Sequence, residues 1–155
     1  MTAIERLWKD FELPVKDALH HADGHSYDVA LDPTAPRGFT VLAPFDLDEV
    51  LEGDPSWVSS VDGLAAVDLG EEGLLWCGEG SYGSEGFIAR LTVDRALHWA
   101  MFFIESNPFD RIRLSGSVAT FSSTSGFELA LDIDDPRTPT SGSGRSGVGR
   151  EPEKG

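Results

Sequence analysis

Ile4, Leu7, Trp8 and Phe11 recur at the spacing of one helical face, with Glu5, Arg6, Lys9 and Asp10 elsewhere, so the chain is predicted to open with an amphipathic helix. Pro14 interrupts it. Val15, Ala18 and Leu19 then predict a second short helical turn, ended by Gly24. From Ser26 the period shortens. "YDVAL" (27–31) and "FTVLA" (39–43) read as strands separated by a loop with Pro33, Pro36 and Gly38. "DLDEVLEGDP" reads as one or two turns of helix. Asp46 stands at its N-cap and Glu49 three residues on, Leu47, Val50 and Leu51 face inward, and Gly53 and Pro55 stop it. Trp57, Val58 and Val61 return to the core, and "LAAVDL" (64–69) and "LLWCG" (74–78) are strands around a Glu71-Glu72-Gly73 turn.

The C-terminal half alternates most clearly. "FIARLTV" (87–93) places Phe87, Ala89, Leu91 and Val93 on one face with Arg90 and Thr92 opposite, and "FELALDI" (127–133) repeats the pattern. Between them "ALHWAMFFI" (96–104) is apolar on both faces, as a central strand covered on both sides must be. "RIRL" and "SVATFSS" add two strands joined at Gly116. Short links between these segments predict a five-stranded antiparallel meander. The expected fold is α+β: a mainly antiparallel, curved β-sheet with the N-terminal amphipathic helix packed on it.

The 155 residues, 40% hydrophobic with nine Phe and four Trp, suffice for one domain with a core of its own. Residues 1–135 are read as that domain. Residues 136–155 are rich in Gly, Ser, Pro and Thr and nearly devoid of apolar side chains, and are read as a flexible, disordered tail. No leader-like segment opens the chain, and its longest apolar run falls far short of the roughly 20 residues of a membrane span, so the expected location is cytoplasmic. Cys77 is the sole cysteine, which excludes an internal disulfide and any multi-cysteine metal site within one chain.

Charge narrows the choice of partner. The net charge is -15, and because Arg137, Arg145, Arg150 and Lys154 outnumber Glu151 and Glu153 in the tail, residues 1–135 stand at -17. No Lys or Arg occurs between Arg37 and Arg90, a stretch that holds eleven Asp and Glu. Such a field repels phosphate, so neither nucleic acid nor an anionic membrane is an expected partner, and a basic protein is. Within it, Asp46, Asp48, Glu49, Glu52 and Asp54 form the candidate partner-binding group, because a short helix with its apolar side buried must turn Asp48, Glu49 and Glu52 outward.

Candidate chemistry is sparse. "HHADGH" gathers His20, His21 and His25, but Gly24 breaks the helix that would align them, and the nearby companions are only Asp17, Asp23 and Asp28. Histidines in the last turn of a helix are also favoured by its dipole, so no metal is expected. "GEGSYG" (78–83) matches G-x-G-x-x-G but is followed by a strand rather than a helix, and Glu79 would repel phosphate; it reads as a hairpin turn and implies no nucleotide cofactor. Asp132, Asp134 and Asp135 lack the spacing of a calcium loop. No nucleophile elbow appears, and no sequence cue pairs Cys77 with a base, so no catalytic residue is assigned.

Two function classes follow. The first is an acidic protein-binding module, in the manner of bacterial immunity proteins that inhibit basic toxins or nucleases by electrostatic docking, a likeness of composition alone. The alternative is a small-ligand-binding domain or small enzyme with an aromatic pocket on the sheet, lined by Trp76, His98, Trp99 and Phe102.

Overall fold

The computed structural model describes residues 1–137. In chain order these form α1 (Ala3–Lys9), β1 (Glu12–Pro14), β2 (Ala18–His21), β3 (Ser26–Leu31), β4 (Phe39–Phe45), α2 (Leu47–Gly53), β5 (Val58–Ser60), β6 (Asp62–Asp68), β7 (Leu74–Glu79), β8 (Gly86–Leu91), β9 (Leu97–Phe103), β10 (Phe109–Ser115), β11 (Val118–Ser123) and β12 (Glu128–Asp132). The framework is an antiparallel seven-stranded sheet of order β4-β3-β2-β9-β8-β7-β6. It consists of two meanders, β2–β4 and β6–β9, joined where Leu19 pairs with Met101 and His20 with Ala100. A three-stranded sheet, β10-β11-β12, and a ribbon, β1-β5, complete the fold, which is α+β and mostly antiparallel sheet.

The large sheet is a middle layer. On one face Leu19, Leu75, Cys77, Ile88, Trp99, Met101 and Phe103 pack with Phe109, Ala119, Phe121, Leu129 and Leu131 of the small sheet. On the other, Phe87, Ala89, Leu91, Ala100 and Phe102 pack with Ile4 and Trp8 of α1, Leu13 of β1 and Leu47 of α2. Alternating side chains of β8 and β9 therefore enter two different cores, which is why β9 is apolar on both faces. Each large side chain so buried is worth about 1.5–3 kcal/mol. No helix among the described residues is long and apolar enough to cross a membrane.

All five predicted C-terminal strands form, but they do not make one meander. β8 and β9 belong to the large sheet and β10–β12 to the small one. The reason lies in β10, where Arg111, Arg113 and Ser115 occupy one face and are exposed. A strand beside the doubly covered β9 must be buried on both faces, which β10 cannot satisfy. That edge goes instead to β2, whose Ala18, Leu19 and His20 are fully buried, and residues 18–21 are thus strand rather than the expected helical turn. The chain leaves β9 through Asn107, at φ 64°, and Pro108.

Two further boundaries shift. α1 ends at Lys9, so Phe11 lies beyond the apolar stripe, at φ 54° and half exposed. At the other end Pro136 is buried and its carbonyl accepts from Arg37 Nη1 (3.1 Å), while Arg137 lies over the Tyr27 ring and donates to its hydroxyl (3.0 Å). These two residues of the expected tail pack on the domain, and the remainder of it, 138–155, lies outside the described residues.

Candidate protein-docking face

α2 sits where β4 leaves the large sheet. The Asp46 carboxylate caps it, accepting the Glu49 N–H at 3.3 Å, and such a cap is worth about 1 kcal/mol. Leu47 is buried against α1 and the sheet, with Val50 and Leu51 half-buried beside it. The helix is therefore fixed by its apolar side, and Asp46, Asp48, Glu49, Glu52 and Asp54 are all exposed. The last turn of α2 carries no basic residue. Among the described residues one cation reaches this group: Arg6 of α1 lies 3.9 Å from Asp48, an exposed pair that neutralises little.

The face extends beyond α2. Asp48 and Leu47 share a shallow cavity of about 310 Å³ with Thr2, Asp23, Gly24 and His25, so the β2–β3 turn adds the exposed Asp23 to the acidic surface. Asp23 accepts from the His25 backbone N–H (3.0 Å) and faces its imidazole (2.9 Å), and these bonds hold its carboxyl below the usual range. Thr2 ties the turn to α1, its hydroxyl donating to the Ala22 carbonyl at 2.8 Å. Asp23 was legible as the Asp-Gly of a hairpin turn, with Gly24 at φ 103°. The spacing of Val15, Ala18 and Leu19, which predicts a helical turn ended by Gly24, masks that signal.

Of the eleven acids between Arg37 and Arg90, Asp62, Asp68, Glu71 and Glu72 are also exposed, Glu79 is half-buried, and Glu85 is buried. Glu85 closes the β7–β8 loop from within, accepting from Ser59 Oγ (2.8 Å) and the Tyr82 N–H (3.2 Å). "GEGSYG" is thus the entry to a hairpin loop organised on a buried carboxylate. Asp134, too, serves the fold: it pairs at 2.8 Å with Arg90, which is buried between the sheets and also donates to the Ile133 carbonyl.

The three clustered histidines diverge. His20 is fully buried, its Nδ1 2.8 Å from Ser26 Oγ, its Nε2 without a partner, and its ring edge-on to Phe45; burial pushes its pKa down to about 3. His21 lies edge-on to Tyr27, and His25 is exposed on the turn. They occupy a hairpin rather than the end of a helix, so the dipole argument has no purchase. Among the described residues no group of three or more His, Cys, Asp or Glu is placed to hold a metal ion.

The four aromatic-pocket residues are not brought together. Trp99 is buried between the two sheets, with its indole N–H on the Ile133 carbonyl (3.0 Å). Phe102 and Trp76 pack on the opposite face, and His98 is exposed. Cys77 is buried, its thiol 3.4 Å from the Phe109 carbonyl, and burial pushes its pKa up to about 12, away from nucleophilic use. Comparison with protein-family models, curated proteins and solved structures found no match.

Proposed function

We propose that the protein is an acidic binding module that docks on a basic protein, acting as an immunity-type inhibitor of a toxin or nuclease whose cationic surface it covers. The supporting observation is the outward presentation of Asp48, Glu49 and Glu52 on a capped helix anchored by Leu47, flanked by Asp46 and Asp54 and joined by Asp23. Fixed charges steer encounter and set register with less side-chain ordering than a mobile acidic chain requires. The cavity between Asp23 and Asp48 offers a seat for one lysine or arginine of the partner.

Affinity capture from the native host tests this reading, with the wild-type chain and the double variant Asp48→Lys/Glu52→Lys as parallel baits. A basic protein retained by the first and lost from the second supports it. Equal retention of every captured protein by both baits contradicts it.

A further inference from the structure

A second site lies at the C-terminal end of α1, and its charge is opposite to that of the rest of the molecule. A cavity of about 230 Å³ is lined by Trp8, Phe11, Ala96 and Leu97, with Glu5, Lys9, Arg95 and Met1 at its rim. Phe11 is the unusual member. It stands one residue past the C-cap Asp10, at φ 54°, where glycine is the ordinary occupant. Its backbone is held there from both sides, its N–H on the Trp8 carbonyl (2.9 Å) and its carbonyl on the Val61 N–H (2.8 Å). A bulky side chain in this region is strained, yet the ring remains half exposed, edge-on to Trp8 and Trp76. The ring packs on Trp8 and Trp76 on one side and leaves its other side to the cavity.

The facing wall repeats the pattern. Arg95, in the β8–β9 turn, is also left-handed, at φ 70°. Among the described residues its guanidinium touches only the Val93 carbonyl, at 3.4 Å, and the Lys9 side chain has no hydrogen-bond or ion-pair partner. In a chain with 27 acids and 12 bases, two cations flank one aromatic cavity whose rim holds a single side-chain carboxylate, that of Glu5. That carboxylate accepts the Thr2 N–H at 2.9 Å in the capping box, and Met1, with its α-amino group, stands beside it at the rim.

We propose that this cavity binds a small aromatic carboxylate, its ring against Phe11 and Leu97 and its anion between Lys9 and Arg95. The volume suits a ligand of about ten non-hydrogen atoms, for which dissociation constants of about 0.1–1 mM are accessible. The site shares no acidic residue of α2, so this proposal and the docking reading stand or fall separately.

The test uses the full chain and phenylacetate, with its neutral amide and acetate as controls, followed by calorimetry and amide-shift mapping by NMR. Saturable phenylacetate binding that shifts Lys9, Phe11 and Ala96, with amide and acetate each about tenfold weaker or worse, is expected. Phe11→Gly relieves the strained backbone and should keep the fold while weakening binding about tenfold. Lys9→Gln/Arg95→Asn leaves the apolar wall intact and should bring acid and amide within about twofold of each other. No saturable binding up to about 10 mM, equal affinity for acid and amide in the wild type, or unchanged binding in both variants would each overturn the proposal.

Discussion

Acidification should destabilise this protein through one side chain. Unfolded, His20 titrates near its ordinary value of 6.5; folded, it stays neutral down to about 3. Between those limits the unfolded chain binds a proton that the folded one refuses, so stability falls as pH drops from about 6.5 toward 3. The cause is geometric. The ring is fully buried, the cations Lys16 and His21 oppose its protonation, and Nε2 has no acceptor to receive a second N–H. At roughly 1.4 kcal/mol for each pH unit, the loss reaches ~2 kcal/mol near pH 5 and ~5 kcal/mol at its limit. Asp17, half-buried with its pKa raised by burial, and His21, with its pKa lowered by burial, also titrate. Both are retained in His20→Asn, so their own titration contributes to the pH dependence of both proteins. Urea unfolding of wild type and His20→Asn at about pH 7 and pH 5 supplies the measurement. The variant is less stable at both because of the cavity it leaves, but the wild type should lose ~2 kcal/mol more between the two pH values. Equal losses would refute the reasoning, because the buried imidazole would then not be the acid-sensitive group.

Three other predictions concern the body of the fold. A chain ending at Arg137 should melt within about 2 °C of the full chain. One ending at Asp135 loses the Arg37–Pro136 bond and the Arg137–Tyr27 contact and should melt about 4 °C lower or more, as calorimetry would show. Gly63→Ala would place a Cβ 1.9 Å from the Trp76 indole nitrogen, so a loss of ~2 kcal/mol or more is expected in urea unfolding; a neutral substitution would mean that Trp76 is free to move. Cys77 should resist a thiol reagent in the native protein near pH 8 and react at once in denaturant, whereas native labelling within minutes would contradict its burial.

Periodicity reveals a strand's faces but not its neighbours. β8, β9 and β12 were legible from alternation or double-sided apolarity, and α2 from its cap and stop residues, because each signal is local. The sheet to which β10 belongs was not, since that depends on what competes for the edge of β9. β2 is four residues long, and "ALHH" fits a helical turn as well as a strand; only the need of β9 for a partner buried on both faces decides it. The same limit applied to the candidate site. The outward set of α2 can be read from its amphipathic spacing, but Asp23 joins Asp48 through a hairpin 25 residues earlier in the chain, and Trp99 and Phe102, three residues apart on one strand, enter opposite cores although both fit an aromatic pocket by composition. Phe11 carried a readable sign, an aromatic residue just past a helix end, hidden by its fit to the helical stripe.

If the acidity presented on α2 drives recognition, reversing its charge must slow association. Association kinetics with a verified basic partner, measured from low to high salt for wild type and Asp48→Lys/Glu52→Lys, tests it most directly. Exposed charges matter little to stability, so the variant should remain folded. Its association should be slower by about tenfold at low salt and its salt dependence flatter, with dissociation less affected. Association as fast as the wild type's at every salt concentration would contradict the account and leave the acidity without a part in binding.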